Sequence, residues 1–198
     1  MPCRGNGCCC TLADCAALRE ELTRARSLLV VGAGLLGMEI ASTCRSLGPQ
    51  VTVVDRDLPL RRVLGPVLAR VITDAAREHG VVLRTVPGGV RSIGSRTLER
   101  VDADGDLLTA DVIVSAVGDV PAVDWLTDSG LTLDGGVVTD ARGRVADGIV
   151  AAGDAAVVRG ACRRPHWANA VEQARVAAAA LLGEPHDAAH SGSSPPPP

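Results

Sequence analysis

The 198-residue chain contains no Lys, no Tyr and no Phe, so all 20 basic residues are Arg and the only aromatics are Trp125 and Trp167. A phosphate-binding loop ending in Lys, a Schiff-base or pyridoxal-phosphate enzyme, and a dehydrogenase built on a Tyr–Lys pair cannot be assembled from this chain alone. Two aromatic side chains and a formal charge of −3 offer neither a stacking platform nor a basic run, so nucleic acid is not expected as a partner. Long hydrophobic runs are missing too. The longest, Leu28 to Leu36, is far shorter than a bilayer span and holds two glycines, so no membrane association is expected. Of seven Cys, five (Cys3, Cys8, Cys9, Cys10 and Cys15) crowd the first fifteen residues, leaving Cys44 and Cys162. They form no CxxC pair and no zinc-ligand spacing, and no secretory apolar segment precedes them, which points to a reducing cytoplasm without a metal site.

What is present is a 46% hydrophobic content carried almost wholly by Val, Leu, Ile and Ala, enough for one compact domain or one and a fraction. Residues 1–10 and 185–198, the latter ending in four prolines, lack hydrophobic periodicity and read as disordered tails. Thr11 and Asp14 resemble a capping box, and Leu12, Cys15, Ala16, Leu18 and Leu22 predict a four-turn helix ending near Arg26. The run from Ser27 to Val31 is apolar on both faces, as in a buried parallel strand. A helix through Met38, Ile40, Ala41 and Cys44 stops at Gly48-Pro49; Val51–Val54 is a second strand, Pro66–His79 a helix, and Val81–Leu83 a third strand. Short segments at Val90–Ile93, Thr97–Val101 and Leu107–Thr109, parted by Gly and Asp, suggest an antiparallel meander. Asp111–Val117 then reads as a fourth parallel strand and Ile149–Ala152 as another short strand. A last helix runs from His166 to Leu182, with Val171, Ala174, Ala178 and Leu181 on one face and Gly183 as its stop.

The chemistry-bearing motif is Gly32-Ala-Gly34-Leu35-Leu36-Gly37, placed between a strand and a helix, with Asp55 eighteen positions beyond its last glycine. Gly32 makes the tight turn, Gly34 lets a pyrophosphate approach the backbone, and Gly37 lets helix and strand pack closely. The helix start offers free N–H groups and a positive dipole end. Asp55 is expected to take the adenine ribose hydroxyls and to favour NADH over NADPH by repelling a 2′-phosphate, a repulsion that Arg56, Arg61 and Arg62 soften. His79 reads as a helix-end residue and Cys44 as core, and no catalytic residue is assigned.

Five segments in order carry a resemblance: Leu12–Leu18, Gly32–Glu39, Ala116-Val-Gly118-Asp-Val-Pro121, Val150-Ala-Ala-Gly153-Asp154 and His166-Trp167-Ala-Asn-Ala-Val-Glu-Gln173. Together they resemble the FAD-dependent pyridine nucleotide-disulphide oxidoreductase superfamily, and within it the NADH-dependent ferredoxin or rubredoxin reductases. The resemblance implies an α/β fold. A Rossmann-type NAD-binding domain (residues 11–136, a parallel sheet with an antiparallel meander) is followed by part of an FAD-binding domain (137–184). It also implies that Glu39 lies beside the nicotinamide and that Gly118 marks where the chain returns toward the flavin. Gly153 and Asp154 would hold the ribityl chain, and Trp167 would open the helix facing the flavin's pyrimidine end.

The implied reaction is hydride transfer from NADH to FAD, followed by electron transfer to an iron–sulphur partner of the ferredoxin or rubredoxin type. This sequence departs from the family pattern. The family's first GxGxxG, expected well before Leu12, its flavin-side Lys and its C-terminal interface domain have no counterpart here, and Asp119 stands where a small or apolar residue is usual. The expectation is therefore a fragment truncated at both ends, with half of a flavin site. The alternative is an NADH-binding module or degenerate remnant without bound flavin or turnover.

Overall fold

The computed structural model describes residues 12–94 and 99–185. The tails apart from Pro185, the four cysteines before Thr11, Thr11 itself and Thr97 lie outside the described residues. In chain order the elements are α1 (Leu12–Leu22), β1 (Ser27–Val31), α2 (Leu35–Ser46), β2 (Gln50–Asp55), α3 (Arg61–Glu78), β3 (Val81–Thr85), β4 (Arg91–Ile93), β5 (Arg100–Ala103), β6 (Asp106–Leu108) and β7 (Val112–Ser115). Then follow β8 (Val137–Thr139), β9 (Arg144–Ala146), β10 (Ile149–Val150), β11 (Ala156–Val158) and α4 (Trp167–Leu182). The chain divides after Gly118 into two compact units. No helix among the described residues is long and apolar enough to cross a membrane.

The first unit is a parallel sheet of order β3-β2-β1-β7. The central strand β1 and its neighbour β7 are apolar on both faces because both faces are covered. Leu28 and Val30 of β1, with Val51, Val53, Val112 and Val114 of the neighbouring strands, pack against Ala41 and Cys44 of α2. On the other face Leu29, Val31, Val54 and Ile113 pack against Val101 and Ala103 of the antiparallel sheet β4-β5-β6. Each of the Val, Leu and Ile side chains among these contributes about 1.5–3 kcal/mol by leaving water. The Rossmann-type sheet and the antiparallel meander expected from the sequence are both present.

Several boundaries differ from expectation, each for a local reason. The first helix ends at Leu22 rather than near Arg26, because the Asp111 carboxylate accepts the N–H groups of Arg26 (2.8 Å) and Ser27 (3.0 Å) and draws them out of the helix into β1. Only Leu22 of its apolar stripe is buried. The helix expected from Pro66 begins earlier, at Arg61, but Gly65 (φ 77°, ψ 174°) interrupts it, so Pro66 still opens the regular part, where its missing N–H costs nothing. The middle meander strand reaches Ala103, since Asp104 (φ 55°) and Gly105 (φ 89°) form a two-residue turn that pairs Ala103 with Asp106. The fourth parallel strand is shorter than Asp111–Val117, with Asp111 spent on Arg26 and Ser27.

The second unit contains two two-stranded sheets, β11-β8 parallel and β10-β9 antiparallel, with α4. The strand expected over Ile149–Ala152 keeps only its first two residues. The buried face of α4 is Val176, Ala177, Ala179 and Ala180, not the expected Val171, Ala174, Ala178 and Leu181. The helix turns its small residues inward because the backbone approaches closely there. A Cβ on Gly143 would stand 3.0 Å from the Ala177 methyl, and one on Gly153 would stand 3.5 Å from that of Ala170.

Candidate functional site

In the first unit a cleft of about 660 Å³ opens at the carboxyl ends of β1, β2 and β7. The sheet order puts it at a switch point. From β1 the chain winds outward to β2 and β3, then returns to place β7 on the other side of β1, and the loops leaving β1 and β7 diverge.

The glycine loop forms its floor. Gly32 has φ +105° and donates its N–H to the Val54 carbonyl (2.8 Å), and a Cβ there would collide with the Ala116 carbonyl. Gly37 is buried, and a Cβ on it would overlap the Gly32 carbonyl, so the start of α2 rests directly on the loop. Gly34 differs. It begins α2 without a side-chain cap and faces open space, leaving backbone N–H groups at the mouth of the cleft. Leu35 and Leu36 form the exposed first turn of α2, and Glu39 is exposed on the same helix outside the cleft lining.

Asp55 closes the end of β2. One carboxylate oxygen accepts the Ala33 N–H (2.5 Å) and the other the Arg56 N–H (2.5 Å), so the acid ties β2 to the glycine loop. Asp57 accepts from the Leu58 N–H (2.7 Å) and from the Arg61 guanidinium (3.0 Å). These bonds, the backbone one foremost, hold its carboxyl below the usual carboxylate range. Leu60, in the left-handed region (φ 57°), donates to the Ala33 carbonyl (3.0 Å) and pins the entry of α3 to the glycine loop. The opposite wall, Gly88, Gly89, Val90 and Ser92, was not legible as part of a site. Its only signal was a Gly-Gly pair after the third strand. Gly118 (φ 151°) completes the lining after β7. Four of the named residues, Gly32, Gly34, Asp55 and Gly118, thus line one cleft.

Leu35, Leu36, Gly37 and Glu39 lie on α2 beside this cleft, and the last three, Gly153, Asp154 and Trp167, belong to the second unit. Gly153 (φ 78°) donates its N–H to the Gln173 side-chain oxygen (2.8 Å), which holds the turn against α4. The Asp154 carbonyl accepts from Arg163 (3.1 Å), while its exposed carboxylate has no partner among the described residues. Arg163, whose side chain is only 14% exposed, also pairs with the Asp119 carboxylate and donates to the Asp119 carbonyl (3.0 Å). The unusual Asp119 therefore has a structural partner. Trp167 is 80% exposed at the start of α4, which His166 caps by accepting from the Ala168 N–H (3.2 Å). Of the residues read as bland, Cys44 is buried, with its thiol pushed up by that burial, and His79 Nδ1 lies 2.8 Å from the Ala75 carbonyl at the end of α3.

A glycine loop and an acid at a switch point occur in many nucleotide-binding folds. The decisive observation is that the sequence pattern of the pyridine nucleotide-disulphide oxidoreductases matches residues 1–177. The chain belongs to this family. Among the pyridine nucleotide-disulphide oxidoreductases it is similar to rhodocoxin reductase of Rhodococcus erythropolis, 36% identical over 183 residues covering 87% of this chain and 43% of that protein. It is likewise similar to the anthranilate 1,2-dioxygenase system ferredoxin–NAD(+) reductase component of Burkholderia cepacia, 37% identical over 87% of this chain and 45% of that one. The crystal structure of the ferredoxin reductase for the CYP199A2 system from Rhodopseudomonas palustris superposes with a TM-score of 0.75 at 30% identity, covering 90% of this chain and 47% of the other. The ferredoxin reductase-like character expected from the five motifs is borne out. The chain spans less than half the length of the curated relatives it matches.

Proposed function

We propose that the first unit binds NADH in the cleft at the carboxyl ends of β1 and β2. In this reading the segment 137–184 contributes to an FAD site, and the pair serves electron delivery to a ferredoxin- or rubredoxin-like iron–sulphur protein. The observation that carries the reading is the conjunction of a glycine loop too tight for any side chain at Gly32 and Gly37 with an uncapped helix start at Gly34 that faces open space. Such a cradle fits a pyrophosphate. The N–H groups of Gly34, Leu35 and Leu36 would hold it, favoured by the dipole of α2. Asp55 would accept from the adenine ribose hydroxyls while keeping the loop in place, and Gly118 keeps the far wall low. Glu39 would act near the nicotinamide.

For the flavin, the donor set in the second unit also fits. The Asp154 carboxylate has no partner among the described residues and can accept from a ribityl hydroxyl, its turn being fixed by Gln173 and Arg163. The backbone at Trp167, at the positive end of α4, favours negative charge nearby. When bound, the flavin supplies hydride acceptance and one-electron release. The names of the ferredoxin and rhodocoxin reductases support this assignment of cofactors and partner class. A second reading, dinucleotide binding without turnover, is favoured by the fact that every residue lining the cleft lies in the first unit.

The test is the visible spectrum of the purified, desalted chain after addition of FAD, followed by titration with NADH. A retained flavin band bleached by NADH is the expected result. A colourless protein that still binds NADH would leave the second reading, and a protein that binds neither would overturn both.

A further inference from the structure

Helix α3 turns its small side chains toward the sheet and its large ones toward solvent. Its buried residues are Ala69 and Thr73, with the Thr73 hydroxyl donating to the Ala69 carbonyl (2.7 Å), and Ala76 packs against the core. Val67, Leu68 and Val71 of its regular part, with Val63 and Leu64 just before the Gly65 break, are between 40% and 74% exposed. Val67 and Val71 are four residues apart and Leu68 and Val71 three, so these side chains adjoin on one face. A helix that is apolar on both sides is ordinarily covered on both. The cleft does not account for the outer stripe, since of these five residues only Val63 belongs to its lining.

The charges at the two ends of the helix select what covers it. Its start holds Arg61 and Arg62 against Asp57, and its end holds Asp74 and Glu78 against Arg77, with Arg70 between. The net charge therefore runs in the same sense as the backbone dipole, positive at the start and negative at the end, and the helix does not compensate its own ends. The Asp74–Arg77 contact is long (3.9 Å) and exposed, so Asp74 can be drawn to another cation at little cost. A second copy of α3 laid antiparallel answers both features. It sets stripe on stripe and brings its acidic end to the basic start, whereas a parallel copy sets like charge on like. Two such stripes expose on the order of 1,000 Å² together, the floor for a specific interface, so the contact is weak and reversible. We infer that this chain pairs with a second copy of itself through the outer face of α3, the two helices antiparallel about a two-fold axis near Val67 and Val71.

The experiment is sedimentation of the full chain from about 1 µM to about 200 µM, the range in which a small interface is half-formed. A reducing buffer keeps the exposed thiols of Cys15 and Cys162 from linking copies. The expected result is a mass that rises with concentration from 20.3 kDa toward twice that value and stops there. Val67→Ser with Val71→Ser should raise the dissociation constant by about tenfold or more. Asp74→Arg should raise it by about threefold, and by less at high ionic strength. These positions are exposed, so the variants should keep the parent circular dichroism and melting temperature. Leu181→Ser with Leu182→Ser, equally exposed but on α4, should leave association unchanged. A monomer throughout the range, association that either α3 variant leaves unmoved, or growth past the dimer into open-ended oligomers overturns the inference.

Discussion

The two units solve the packing problem differently. The first is built on branched aliphatic side chains. The four consecutive residues Leu28–Val31 of β1 are each at most 3% exposed, and the sheet is covered on both faces. The second has little such material and closes on small residues and polar clips: the alanine face of α4, Gln173 on the Gly153 N–H, Arg144 on the Ala180 carbonyl and Arg163 on the Asp119 and Asp154 carbonyls. Apolar side chains such as Leu181 (52% exposed) and Leu182 (73%) stay outward. Hydrophobic burial is non-directional and tolerant, whereas hydrogen-bonded clips fail one at a time. The first unit should therefore be the sturdier of the two, and its weak points are steric instead of polar.

This contrast can be broken most severely at Gly37. Gly37→Ala, a change that would stabilise an ordinary helix, should cost about 3 kcal/mol or more, because the new methyl collides with the Gly32 carbonyl. Urea unfolding followed by circular dichroism measures this, and a neutral result would mean the loop is not closed as described. Next in size, Arg163→Ala should cost about 2 kcal/mol by leaving Asp119 and two carbonyls without a donor. Hydrogen exchange should then rise around residues 119 and 153–163 while the sheet amides stay protected. Asp55→Ser should weaken NADH binding by about tenfold and NADPH binding by less, read by titration. Equal losses would show that Asp55 only braces the loop.

Acid should act on the first unit through Asp111, whose carboxyl is held below its usual range by the Arg26 N–H and then by the Ser27 hydroxyl and N–H. A depressed folded value means this contribution is complete above the ordinary carboxylate range and is lost as pH falls through the lowered one. Asp111→Asn should accordingly lower the melting temperature modestly at neutral pH and flatten its decline in acid. The smallest expected effect is at the surface. Leu181→Ser with Leu182→Ser, at positions 52% and 73% exposed, should leave the melting temperature within about 1 °C of the parent in a thermal scan.

How much was legible follows the same division. The β1-α2-β2 unit could be read because apolar strands, glycines with distinct steric duties and an acid all agree locally. The cleft floor came with it. What was missed depends on remote partners. The true end of α1 is set by Asp111, and the covered side of α4 could not be read because a run of alanines gives hydrophobic periodicity no amplitude. Strands β8, β9 and β11 are three residues each and exist only through their pairing. The Gly88–Ser92 wall of the cleft is brought in by tertiary folding alone.

The Asp111 clasp on Ser27 joins residues 84 positions apart, and β7 completes the sheet beside a strand formed near the start of the chain. Closing so long a loop costs entropy that neighbouring strand pairs do not incur. The pairing of β1, β2 and β3 is therefore expected to precede the docking of β7. Since Ser115–Gly118 supply one wall of the cleft, that cleft would be the last part of its unit to assemble. A nascent chain would pair its first three strands before its cleft could form.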